Sequence, residues 1–523
     1  MSQDAQEQPF DRNWLIVVAL SVFAWAPLLY PGFFQSSTGL AAVYRVAQPA
    51  AAATLFPAGP GDAAPLAYAL ARALAGVGLG AYGAVRATYG LALLVAGLGM
   101  YGAARRALDA SAGLVSALIY TYLPYTLGLV YVRGALSESL ALALLPVALW
   151  AAAGTITADS ASAWRWGRPL AAVTAGLLLA LAHPGLTLAG LPLLVAYAWA
   201  LGGGAGARNG LLAMLPGGVV ALAQLWPSRS ANVAAIQGVD AYRLIVPASQ
   251  PGPGEPPVQL GAVAVILAVL ALGGLFLGQE AGEGRHGAPA SARLVAALWA
   301  LLLILLALVT PPGAALWGSL GLRFALPQSW QLLGIVGVAL AMTAAGALCG
   351  VPWGRMLRQP VFLAALLAAT ILASSPYLSP HTIPAAALPD PARPPTARFE
   401  DNVLLLGSSV EQPPGARRLE LTLQWQALAR IQGDYTVFTH LLDAQGRLQG
   451  QKDAPPLGGT RPTSSWLPGE YLTDTYEIAL SPEAEPGEYV LELGLYQLPQ
   501  GQRLRQVAPA SGATEVRLSV QVR

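Results

Sequence analysis

The chain has 523 residues, of which 55% are hydrophobic and only 11% charged, with a formal net charge of +2. A soluble protein of this length would make about three domains. So few charges point instead to a polytopic membrane protein, and so small a net charge gives no electrostatic case for nucleic acid.

Apolar runs long enough for a bilayer core lie near 14–34, 81–103, 111–130, 135–154, 169–183, 185–202, 210–226, 259–278, 293–310, 331–350 and 361–377. They predict about eleven helices. The first, Trp14–Tyr30, lacks a basic leader and a small-residue cleavage site, so it reads as a retained helix. Short connectors on one side hold Arg105, Arg106, Arg165, Arg168, Arg208, Arg285, Arg293, Arg355 and Arg358. By the positive-inside rule that side is cytoplasmic, and the N-terminus with it. The opposite segments 35–80, 227–258 and 311–330 are too long for simple turns, and Pro65–Val77 reads as a helix along the interface.

From residue 398 the character changes. Residues 398–523 hold 26 of the 56 charged side chains. Leu419–Trp425, Tyr435–Leu441, Tyr489–Tyr496 and Val516–Val522 alternate with period two. Asp443–Gly446, Pro468-Gly469 and Pro486-Gly487 supply turns. About seven short strands predict a β-sandwich of immunoglobulin or carbohydrate-binding shape. The expected organisation is a membrane domain at 1–378, a proline-rich linker at 379–397 and an extracytoplasmic sandwich at 398–523.

Several motifs carry no chemistry. Gly97-Leu-Gly-Met-Tyr-Gly102 spells a dinucleotide fingerprint but lies in an apolar helix with no strand before it, where small residues serve helix packing. The four histidines have no metal-ligand spacing, so neither a metal nor another cofactor is expected. Walker sequences, a Ser-His-Asp arrangement and paired intramembrane carboxylates are absent, which argues against an ATPase, a hydrolase or a proton-coupled carrier. The lone cysteine, Cys349, excludes an internal disulfide.

Other blocks do carry a resemblance. Trp25–Leu40 with Val43-Tyr-Arg45, then Leu98–Arg105, Tyr122-Leu-Pro-Tyr125, Tyr131–Glu138, Leu322-Arg-Phe324 and Trp330, resemble a family of bacterial membrane proteins. That family is described as GT-C glycosyltransferase-like, of the dolichyl-phosphate-mannose-transferase type, and also as 6-pyruvoyl-tetrahydropterin synthase-related. Tyr435–Asp443 and Trp466–Glu470 are similar to the sandwich often appended to it. The resemblance implies a site at the outer membrane edge, where an aspartate in the first loop meets a polyprenyl-phosphate sugar. The pterin description fits nothing in this composition.

The departures from that pattern fall on one face. Thr38 stands where the family places its aspartate, and a hydroxyl has no useful basicity. Gln331 stands where an arginine is usual, and the first loop is shortened to Pro57–Pro65. The remaining catalytic candidates are Asp62, the one carboxylate in that loop, and Glu138 at a helix rim. A solvated loop aspartate is the plainer account of the first. Arg133 and Glu138, five apart, would point roughly 140° from each other on an ideal helix and would not pair. Arg45, Arg133, Arg323 and Trp330 are the substrate-binding candidates, although Arg45 would equally snorkel to headgroups. Trp466 and Tyr471 would contact a glycan or partner, unless they serve the sandwich core.

Two functions fit these residues. One is transfer of a sugar from a polyprenyl-phosphate donor to an acceptor outside the cytoplasmic membrane, in intact or degenerate form. The other is an inactive scaffold whose sandwich binds an envelope protein or glycan.

Overall fold

The computed structural model describes residues 12–56, 64–156, 167–227, 238–245, 256–280, 290–319, 325–349 and 353–523. The fold is a polytopic α-helical membrane part carrying a β-sandwich. Among the described residues five helices are long and apolar enough to cross a membrane, and a bent pair makes a sixth. Four shorter apolar helices stand beside them: Asn13–Phe23, Gly167–Ala182, Ala262–Leu277 and Pro360–Ala373. Leu303 and Ile304 are exposed on Ala290–Val309, and Val361 and Leu372 on Pro360–Ala373, as lipid-facing side chains would be. In contrast, Leu333–Ala345 is buried all round, the mark of a helix at the centre of a bundle.

Prolines and glycines decide where the predicted runs break. The run 14–34 is helical only over Asn13–Phe23; a 3₁₀ turn at Ala26–Leu29 and a short strand follow, each introduced by a proline. The run 111–130 is two pieces, Ala110–Thr121 and Pro124–Arg133, bent by 40° at Pro124. The stretch Leu191–Leu225 is two helices, because Gly202 and Gly203 inside it have non-helical backbone angles. Beyond them Gly206 and Gly210 pack on Ala198, so the chain doubles back there and forms two antiparallel helices, as the sequence implies. Pro65–Leu74 forms the expected amphipathic helix. It joins the long helix Gly80–Ala107 through a π turn, Ala75–Leu79; Gly78 in the turn and Gly80 just after it have positive φ.

Among the described residues twelve strands are present, numbered in chain order. Gly32–Phe34 (β1) follows the first helix and pairs antiparallel with Thr382–Pro384 (β2), within the stretch expected to be a linker. That stretch is docked and does not run free: Tyr82 Oη donates to the Pro389 carbonyl at 2.8 Å and Gln48 Nε2 to that of Ala392 at 2.7 Å.

The sandwich has two five-stranded antiparallel sheets. One is ordered β11-β3-β4-β5-β8, formed by Gln506–Ala508, Ala397–Phe399, Val403–Glu411, Arg418–Ala427 and Tyr471–Ala479. The other is β10-β9-β6-β7 with β12 also on β9, formed by Gln502–Arg503, Gly487–Gln497, Tyr435–Leu442, Leu448–Gln451 and Val516–Val522. Alternate residues meet between the sheets: Leu419, Leu421, Leu423 and Trp425 from β5 face Leu491, Leu493 and Leu495 from β9 in one core. Each buried leucine contributes roughly 2 kcal/mol. Tyr489 Oη donates to the Glu485 carbonyl at 2.8 Å, pinning the corner before β9.

Candidate functional site

Three of the blocks that the resemblance singled out, around Ser36–Thr38, Arg133–Glu138 and Trp330, come together, the first of them against Gly469 of the sandwich. Leu98–Arg105 packs elsewhere, on Val147 and Trp150, and residues 322–324 lie outside the described residues. The segment Ser36–Thr38 is fixed first by its backbone. Gln35 N–H donates to the His381 carbonyl at 2.7 Å, Ser37 N–H to Val132 at 3.2 Å and Thr38 N–H to Arg133 at 2.8 Å. The Thr38 hydroxyl has the carbonyls of Arg133 and Gly134 as acceptors, at 2.9 and 3.0 Å. Gly134 must be glycine: its φ is +68°, and an added Cβ would lie 2.4 Å from Ser36 Oγ and 2.6 Å from Gly39 N. Tyr89 Oη donates to the Gly134 carbonyl at 2.5 Å.

Arg133 and Glu138 form an ion pair, contrary to the ideal-helix expectation. Arg133 ends a π turn, Leu129–Arg133, and the left-handed Gly134 interrupts the helix before Leu136 begins the next. The 3.6-residue angular rule therefore does not span positions 133 to 138. Glu138 is 2% exposed, and both of its oxygens are engaged. Oε2 takes Arg133 Nη1; Oε1 accepts from Gln331 Nε2 at 2.6 Å and lies 3.8 Å from His183 Nε2. The Arg133 side chain, still 17% exposed, stacks 4.7 Å from the centre of the Trp330 ring. A carboxylate so enclosed is held as a partner for its cation, whereas the stacked guanidinium keeps a face toward the outside.

The other candidates are placed as follows. Arg45, on the helix Gly39–Ala47, donates to Tyr68 Oη at 3.2 Å and lies 5.9 Å from that ring's centre, tying this helix to Pro65–Leu74. Asp62 and Arg323 lie outside the described residues. Trp466 is 2% exposed, with its indole N–H donating to the Arg461 carbonyl at 3.0 Å. Tyr471 is buried, and its hydroxyl donates to the Ala387 carbonyl at 2.5 Å. Neither ring is thus open to a glycan: the first serves the sandwich core and the second its junction with the membrane part.

Sequence reasoning missed Gln331 and His183 as neighbours of Glu138. Their one signal was that each is a polar residue set in an apolar run, which a bilayer tolerates when the group has a partner. His183 caps its own helix, with Nδ1 accepting from Leu186 N–H at 3.2 Å. Among the described residues no cluster of three potential metal ligands occurs.

No family model matches the chain, and no curated protein does. Among solved structures it is similar to the arabinofuranosyltransferase AftD from Mycobacteria, at 19% identity and a TM-score of 0.41, over 71% of this chain and 27% of that one. It is also similar to the apo oligosaccharyltransferase of Archaeoglobus fulgidus, at 14% identity and a TM-score of 0.44, over 73% of this chain and 57% of that one. A third is the arabinosyltransferase EmbB from Mycobacterium smegmatis, at 11% identity and a TM-score of 0.39, over 98% of this chain and 66% of that one. The chain thus spans about a quarter of AftD and somewhat over half of the oligosaccharyltransferase. No property of the site follows from likenesses at this distance.

Proposed function

We propose that the chain is a GT-C-type membrane sugar transferase that takes its sugar from a polyprenyl-phosphate donor and passes it to an acceptor outside the cytoplasmic membrane. One observation carries this reading: the Arg133 guanidinium is paired with buried Glu138 and stacked on Trp330, and the backbone carbonyl of the same residue accepts from the Ser37 and Thr38 hydroxyls. A cation fixed in this way suits the phosphate of a lipid-linked donor, and it stabilises the charge that develops on the leaving phosphate. Glu138 acts through Arg133 in this account. Asp62 is the carboxylate left to accept the acceptor's proton. The sandwich and the loops it covers face the extracytoplasmic side, in keeping with the arginine bias of the opposite connectors.

A second reading is favoured by Thr38. Its hydroxyl is turned onto two carbonyls, as a packing residue's would be, which suits a non-catalytic scaffold. Incubating the purified protein in nanodiscs with polyprenyl-phosphoryl sugars separates the two. Transfer to a glycan acceptor, weakened in Arg133→Ala, supports the transferase; donor binding and transfer both absent support the scaffold.

A further inference from the structure

The Ser36–Thr38 loop is pinched from two sides by glycines on different domains. Below it, Gly134 approaches Ser36 and Gly39. Above it, Gly469 of the sandwich has φ +84°, and an added Cβ would fall 2.3 Å from Ser37 Cα and 2.6 Å from Ser37 N. No side chain fits between the two backbones. The turn bearing Gly469 is itself braced: Gly469 N–H donates to the Ala427 carbonyl at 2.6 Å, and Ala427 N–H to that of Glu470 at 3.1 Å. Arg461 Nη2 reaches both oxygens of Glu470 at 2.7 and 2.8 Å, and Leu467 N–H donates to the same carboxylate at 2.8 Å. Beside the turn, Tyr471 Oη holds the Ala387 carbonyl, just after β2, the strand that pairs with β1.

We propose that the turn Trp466–Glu470 is a clamp that holds the Ser36–Thr38 loop against the Arg133-Gly134 backbone, so that the sandwich is a structural part of the membrane site. Trp466 anchors the turn in the sandwich core, Arg461 and Glu470 set its shape, and Gly469 makes the contact. The clamp does not depend on the chain being a transferase, because its readout is the order of the loop and not turnover.

The test is hydrogen–deuterium exchange on the full chain in nanodiscs, comparing the wild type with Gly469→Ala, Arg461→Met and Gly487→Ala. An added Cβ at Gly487 meets nothing within 4 Å, so that variant is the control. Gly469→Ala should speed exchange of residues 33–40 by about ten-fold or more, as local opening does, while β5 and β9 stay protected. Arg461→Met should do so to a smaller extent, and Gly487→Ala should do nothing. Unchanged exchange over 33–40 in Gly469→Ala, with the sandwich intact, overturns the clamp. If Gly469→Ala unfolds the sandwich, Arg461→Met decides: faster exchange confined to the loop supports the clamp, and an unchanged loop overturns it.

Discussion

Arg133 lies 4.7 Å above the centre of the Trp330 ring while its guanidinium is paired with Glu138. The cation is therefore fixed on two sides, by a ring face and by a buried carboxylate, and its position is set by packing more than by solvent. Removing the carboxylate leaves a stacked arginine with nothing behind it, and removing the arginine leaves a buried charge.

The first prediction follows from that asymmetry. Glu138→Ala should destabilise the protein by roughly 3 kcal/mol, in the range found when one partner of a buried pair is removed. If Glu138 only positions Arg133, Glu138→Gln should lower kcat in the same direction as Arg133→Ala but by less, and raise the KM for the donor as well. It should also leave the acid limb of the pH–rate profile in place. Loss of that limb would instead make Glu138 the general base. Thermal unfolding in detergent and initial rates at several donor concentrations measure both effects.

Thr38→Asp tests the loop. By sequence alone an aspartate here would restore the family's chemistry. In the structure, however, the side chain meets the carbonyls of Arg133 and Gly134. A carboxylate is acceptor-only and would face two acceptors. The variant should lose about 1–3 kcal/mol of stability and gain no transfer, whereas Thr38→Ser should behave as wild type. A Thr38→Asp protein that is both stable and faster would show that the loop re-orients.

How much of this was legible depends on whether the cause was local. The alternation of Leu419–Trp425 and Tyr489–Tyr496 is set by the two-residue repeat of a strand, so the sandwich could be read directly from it. Trp466 and Tyr471 could not be assigned, because an aromatic residue in a turn looks the same whether it packs inward or stacks on a sugar. The Arg133–Glu138 pair departs from the angular rule because that rule holds only within an unbroken helix, and Gly134 breaks it. Gln331 looked like a lost arginine, yet its amide completes the shell of Glu138. Contacts between residues almost two hundred positions apart leave no local trace.

The sandwich has its own core but shares a face with the membrane part: Leu404, Leu406, Tyr471 and Ala508 pack into the helical core. Residues 394–523 expressed alone should unfold cooperatively with a β-type circular dichroism spectrum, and should self-associate through that uncovered face. A monomer with no β signal would mean that the sandwich depends on docking. In spheroplasts, added protease should reach the sandwich without lysis; protection until lysis would reverse the proposed topology.

A pH effect is expected at the opposite end, where Asp109 pairs with Arg358. Burial raises the Asp109 carboxyl, but the hydrogen bond from Arg358 and the Ala112 N–H outweigh it, so the group sits below the usual carboxylate range. A carboxyl lowered by folding contributes stability above its unfolded value, near pH 4, and loses that contribution as pH falls through its folded value. Both side chains are about one-third exposed, which limits the effect to about 1 kcal/mol or less. The apparent Tm should therefore fall more steeply below pH 4 in wild type than in Asp109→Asn. Parallel curves would mean that the pair contributes nothing.

The most direct test of the account is transfer of a radiolabelled sugar from a polyprenyl-phosphate donor by the purified protein in nanodiscs, with wild type and Arg133→Ala side by side. The account predicts measurable transfer by the wild type and a loss of about 10²-fold or more in Arg133→Ala, the scale for removing one electrostatic contact to a developing charge. An inactive wild type, or an Arg133→Ala variant with undiminished turnover, would contradict it.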